Sequence, residues 1–267
     1  MGVTAYAGWT RFSTTDADRV TRHSFSFGPH YDPANLGFGP LVCHNDDLLQ
    51  PGGGYPDHPH RDLEIVTWVL SGVLLHTDST GDTSQIGPGT VQAMSAGSGI
   101  RHAEVADPAS GPTRFVQAWV RPDSPGGVPV HHELAVDLEG SGLVPVAGAG
   151  GLPIRAAGAS LRVARLAPGE GVALPDVPRM HVFAATGAVD LGVGLGVGLG
   201  VGLGAGLGAG LGVGLDGGQG RPAVPDEVRI SEGGVRLSEG DAARLTDEPG
   251  RVVTAIDHTD LLVWTFA

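Results

Sequence analysis

No lysine occurs anywhere in the 267 residues, and all 16 basic side chains are arginine. A phosphate-loop lysine, a Schiff-base nucleophile and a pyridoxal-phosphate anchor are therefore excluded together. Cysteine is almost absent as well, Cys43 standing alone. It permits neither an internal disulfide nor a Cys-x-x-Cys redox pair, and the opening residues lack a basic segment followed by an apolar one. Both features predict a reduced, cytoplasmic protein. Positive charge is scarce, with 29 acidic residues against 16 basic and a formal charge of −13. No basic field exists to gather phosphate backbones, so direct nucleic-acid binding is not expected.

Glycine, by contrast, is abundant at 45 residues, and one tract distorts the count. From Leu191 to Leu215 glycine fills every even position, with Leu, Val or Ala between. That length could span a bilayer, but each glycine costs roughly 1 kcal/mol in a helix. A membrane span is not expected; the tract reads as a low-complexity insertion. A dinucleotide-binding Gly-x-Gly-x-x-Gly cannot occur within it, because its third glycine would fall at an odd position.

Hydrophobic residues make up 41% of the chain, enough for a substantial core. They lie in short runs such as LEIVTWVL, TRFVQAWV, HVFAATGAVDL and DLLVWTFA, broken by Gly, Pro, Asp and Ser. Such spacing predicts an all-β sandwich or barrel. The turn text Ile86-Gly87-Pro88-Gly89-Thr90 returns as Leu237-Ser238-Glu239-Gly240-Asp241. We therefore expect two related barrels in tandem, 1–135 and 136–267, with the 191–215 insertion in the second.

Two spacings carry chemistry. His58-Pro59-His60 and His102-Ala103-Glu104 each place two donors at i and i+2, which on an extended strand face the same side. If both strands face one interior, three imidazoles and a carboxylate converge on a metal. Nitrogen and oxygen donors without a thiolate suit Fe(II), Mn(II), Ni(II), Co(II) or Cu(II). Four ligands around an octahedral ion leave two positions for water, substrate or dioxygen. Pro59, lacking an N–H, fits a barrel rim or bulge.

Other residues have plainer readings. His23, His30 and His44 are expected to make surface or core hydrogen bonds, and His131-His132 to be solvated between the barrels. Asp46-Asp47 reads as a turn, Cys43 as a small buried hydrophobe, and Trp68 and Trp119 as core. Asp62 could orient an imidazole or join a surface salt bridge.

The text Gly52-x5-His58-x-His60-x3-Glu64 followed by Gly72 resembles the first cupin motif, and Gly99-x2-His102 the core of the second. More specifically, the chain resembles the pirin family of bicupins. The likeness rests on His23–Phe27 (HSFSF), Tyr31-Asp32-Pro33, Gly37–Leu41, His58–Glu64, His76-x-Asp78-Ser79-x-Gly81 and Met94–Glu104. It is dense from about residue 22 to 122 and weaker beyond. Gly97 and Ala106 depart from the general cupin form, where Pro and Asn stand, and the pirin pattern tolerates both.

The resemblance implies two jelly-roll barrels and a metal, usually iron, held by His58, His60, His102 and Glu104, with Glu64 behind the ligands. The second half, with His181 and His258 but no such spacing, is expected to be metal-free. The implied activity is a quercetin 2,3-dioxygenase type, opening a flavonol between C2 and C3 with loss of carbon monoxide. Its partners would be a small phenolic and dioxygen, with Glu104 as ligand and base. The alternative is an iron-dependent regulator that binds a transcription factor or a metabolic enzyme. A monomer is expected.

Overall fold

The computed structural model describes residues 2–140, 142–192, 230–231 and 234–267. Apart from Leu191 and Gly192, the alternating glycine tract lies outside the described residues. The fold is two tandem cupin-type β-barrels. The only helical turn among the described residues is a 3-10 turn at Gly8–Thr10, and no helix is long and apolar enough to cross a membrane.

Each barrel opposes a large sheet to a small one. In the first, a seven-stranded sheet runs Val130–Ala135, Thr90–Ser95, Glu64–Ser71, Thr113–Val120, Leu41–Leu49, Arg19–His23, Phe12–Thr15. Its partner sheet runs Gly54–His60, Ile100–Ala106, Leu74–Asp78, Thr83–Ile86. The second barrel repeats the order, with Gly2–Tyr6, Ala242–Thr246, Arg179–Ala184, Thr259–Phe266, Ala159–Leu166, Val144–Gly148 in its large sheet. The N-terminal strand thus pairs with Ala242–Thr246, while Val130–Ala135 takes the matching place in the first barrel. The repeated turns do the same work in both halves, carrying the chain from the small sheet to the large one with Gly89 and Gly240 at positive φ.

Why DLLVWTFA reads as an unbroken apolar run is clear from its position. Every residue of Thr259–Phe266 is buried, because the strand is covered on both faces. Leu261 and Val263 fill the second barrel, whereas Leu262, Trp264 and Phe266 join a cluster with Leu41, Val66 and Trp68 of the first. The two large sheets therefore pack against each other through the largest apolar cluster, and this fixes the small sheets on opposite outer sides.

Polar residues break that apolar pattern where they have partners. Asp46 and Asp47 do not form a turn, as their sequence suggested; they lie buried within Leu41–Leu49. Alternation sends them to opposite faces. Asp46 accepts a two-pronged hydrogen bond from Arg114 and lies near Arg11, while Asp47 accepts hydroxyls of Thr21 and Tyr55 at 2.5 and 2.6 Å inside the first barrel. Cys43 is buried as expected, and burial pushes its thiol pKa up. His23 makes the core hydrogen bonds expected of it, to Asn45 and Thr14.

Candidate metal centre

The strands Gly54–His60 and Ile100–Ala106 lie side by side, and His102 pairs directly with His58 in their register. Between His102 and Glu104 the register shifts, from His58 to Tyr55 on the partner strand. Gly54–His60 is the edge of its sheet, so Pro56 and Pro59 leave no ladder donor missing on its outer side. The bulge also lets His58 Nδ1 bond to the Pro56 carbonyl at 2.8 Å. That contact sets its tautomer and leaves Nε2 as the lone pair.

The rings of His58, His60 and His102 gather with centroids 4.4 to 5.0 Å apart. One nitrogen of each lies within 4.8 Å of the others. His60 Nε2 and both nitrogens of His102 are buried with no hydrogen-bond partner among the described residues. Unpaired buried nitrogens are costly unless something occupies the space between them. Burial first, then the neighbouring imidazoles, push His60 down to about 4 and His102 to about 3. These rings stay neutral at ordinary pH, the form in which imidazole binds a metal. The donor set fits a divalent transition metal.

Glu104 is buried beside His102, and both of its oxygens accept amide N–H groups, Oε1 from Gln92 at 3.1 Å and Oε2 from Gln117 at 2.7 Å. Gln117 is oriented in turn by the indole N–H of Trp119, which donates to its Oε1 at 3.0 Å. Trp119 is half-buried rather than core; it walls the site against His60, ring centroids 4.8 Å apart. Glu64 belongs to neither cluster of metal-ligating groups. It accepts the Ser95 hydroxyl, and burial pushes its pKa up. Asp62 takes neither expected role: it sits at φ 53° and accepts the Gly126 N–H at 2.6 Å.

Sequence reasoning missed two further histidines. His76 is buried opposite Glu104 in the strand register, and a donor atom of each lies within 4.8 Å of one on His102. Its Nε2 lies 3.3 Å from Asp78. His76-x-Asp78 has the same i, i+2 spacing as the two recognised pairs, so the signal was present. His131 is not solvated, as had been expected. Pairing of Val130–Ala135 with Thr90–Ser95 turns it inward, where it stacks on His76 at 4.4 Å and 8°. Gln92 and Gln117 were polar residues inside the apolar runs TVQAMSA and TRFVQAWV, and their partners were invisible until the barrel closed.

An open cleft of about 490 Å³ adjoins the cluster, lined by His60, Arg61, Ser79, Ile100 and Arg101. That volume falls within the range of small-molecule sites. Arg101 is anchored to Asp57 at its edge by a 2.7 Å bond from Nε.

In the corresponding strands of the second barrel, Gly171–Ala173 and Val252–Ala255, the buried side chains are Val172, Val253 and Ala255, which belong to the aliphatic core.

The chain is similar to known proteins. The sequence pattern of the family described as Pirin matches residues 9–120. A protein of Mycobacterium tuberculosis provisionally named quercetin 2,3-dioxygenase is 39% identical over 261 residues, covering 95% of this chain and 91% of that one. A quercetin 2,3-dioxygenase of Escherichia coli is 41% identical over 123 residues, 46% of this chain and 53% of that one. The structure of the bacterial pirin YhhW of Escherichia coli in complex with nickel(II) superposes with a TM-score of 0.78 at 24% identity, covering 99% of each chain.

Proposed function

The chain belongs to the pirin family, and from that premise we propose that it is a metal-dependent dioxygenase of flavonols or related electron-rich phenolics, of the quercetin 2,3-dioxygenase type. The observation that carries this reading is the convergence of His58, His60 and His102, with unpaired buried nitrogens on His60 and His102; Glu104, held by two amides, joins this group through His102, which it shares with His76 in a second group of donors. In this reading His58, His60, His102 and Glu104 hold one divalent cation, iron(II) first, with manganese, nickel, cobalt or copper able to replace it. The bound ion would supply Lewis acidity toward a substrate oxygen and a means of reacting dioxygen.

The remaining tasks fall to the chain itself. Glu104 accepts the proton of the flavonol hydroxyl, and Gln92 and Gln117 keep its oxygens in place before and after the transfer. Arg61 and Arg101 line the adjoining cleft and favour the phenolate that results. Trp119 closes the side of the site beyond His60 and keeps water from it.

The test is anaerobic loading with Fe(II) followed by oxygen uptake and carbon monoxide release in the presence of quercetin and simpler phenolics. One carbon monoxide released per dioxygen consumed supports the reading. A tightly held metal with no uptake across the phenolics sinks it and favours the alternative, iron-dependent regulation of a protein partner.

A further inference from the structure

A second cavity, of about 280 Å³, lies where the chain crosses between the barrels. Its walls come from both. Tyr6 belongs to the strand paired with Ala242–Thr246, Arg244 to that strand, and Arg11, Ser24 and Asn35 to the first barrel's side. Thr10 and Ala34 at the rim are exposed, whereas Arg244 is buried.

The donors here exceed the acceptors. The Arg11 side chain is only 4% exposed, and its Nε and Nη1 have no hydrogen-bond partner among the described residues; Nη1 lies 3.6 Å from Asp46. Its Nη2 donates to the Arg22 carbonyl at 2.6 Å. Arg244 is clamped between the rings of Tyr6 and Phe25, its guanidinium carbon 4.0 and 4.3 Å from their centroids. It donates to the Tyr6 hydroxyl and the Ser24 carbonyl, yet Nε has no partner. A buried guanidinium with unmade N–H bonds is costly unless an acceptor fills the gap. One unsatisfied acceptor also lines the space: Asn35 donates its amide to the Ser24 carbonyl, which leaves its Oδ1 buried and unpaired.

The charge balance selects the kind of anion. Arg11 and Arg244 contribute two positive charges and Asp32, on the same cavity, one negative, while Asp46 beside Arg11 is already paired with Arg114. The neighbouring His44 and His181 are kept neutral by burial and add none. So balanced, the space favours a monoanion over a dianionic phosphate. The rings of Tyr6 and Phe12 offer an aromatic wall.

From these features we infer that the junction cavity binds a small single-ring aromatic monocarboxylate bearing a hydroxyl group. The carboxylate meets Arg11 and Arg244, the ring lies against Tyr6 and Phe12, and the hydroxyl donates to Asn35 Oδ1. This site is separate from the histidine cluster and does not depend on the activity proposed above.

The probe is 4-hydroxybenzoate, titrated calorimetrically into the metal-loaded full chain, with 4-hydroxybenzamide as its uncharged counterpart. Saturable binding is expected, at least tenfold weaker for the amide and at least tenfold weaker in Arg244→Gln. Ala34→Trp, at an exposed rim position, should block binding without removing a charge, so the test survives if Arg244→Gln fails to fold. Binding should persist in His58→Ala and in the metal-free wild-type chain, which serves as its reference. The inference is overturned if the acid does not saturate, if the amide binds equally, or if His58→Ala abolishes binding while Ala34→Trp leaves it intact, which would place the acid at the histidine cluster.

Discussion

Gln117 donates its amide to Glu104 Oε2 at 2.7 Å, and this bond holds the carboxylate beside His102 inside the first barrel. Gln117→Leu removes that donor while keeping the volume of the side chain. Groups that orient a metal ligand are worth about 10- to 100-fold in metal affinity, and a loss of that size is expected in competition with a chromogenic chelator. Unchanged affinity would show that Gln92 alone positions Glu104.

Metal content should follow the proposed ligand set. His58→Ala and Glu104→Gln are expected to lower bound metal, measured by mass spectrometry after dialysis, to well under half an equivalent. Glu64→Gln should retain it, because Glu64 faces Ser95 and lies outside the cluster. Loss of metal in Glu64→Gln, with retention in Glu104→Gln, would reverse the assignment of the acidic ligand.

Acid should destabilise the metal-free protein. Burial pushes His44 down to about 3, and His60 and His102 are likewise depressed. These rings take up protons near pH 6.5 when unfolded but not when folded, so the unfolded chain gains protons and stability falls as pH drops below about 6.5. Asp47, raised to about 7 by burial, has the opposite effect, since the folded state keeps its proton where the unfolded chain releases it. With His23, His131 and His181 also depressed, and Glu64 and Asp241 also raised, six imidazoles outweigh three carboxyls. Each unbalanced proton changes stability by about 1.4 kcal/mol per pH unit. Urea midpoints of the metal-free protein should therefore decline from pH 7 to 4.5, and His44→Phe, keeping a ring against Phe183, should flatten the decline. A midpoint that rises on acidification would contradict the neutral-histidine reading.

The contact between the barrels should dominate stability. Trp264 is fully buried in the cluster shared by the two large sheets. Trp264→Ala is expected to cost about 3–5 kcal/mol. Trp9→Ala, at a residue 60% exposed, should change stability by less than about 0.5 kcal/mol. Equal effects in chemical denaturation would mean that this packing contributes little.

Short apolar runs, the repeated glycine turn and the i, i+2 donor pairs were local properties, legible because a strand repeats every two residues whatever surrounds it. They were enough to indicate a β-barrel protein and to mark His58, His60, His102 and Glu104 as candidates. Tertiary structure alone decided the rest. Cross-strand register set His102 against His58 and brought His76 opposite Glu104, because register depends on pairing between distant segments. Pairing of Val130–Ala135 with Thr90–Ser95 drew His131 inward, and packing of the large sheets made Asp46 a buried partner of Arg114 instead of a turn residue. A charged or polar side chain shows its type in the sequence, but its partner is chosen only when the sheets close and remove the water that would otherwise satisfy it.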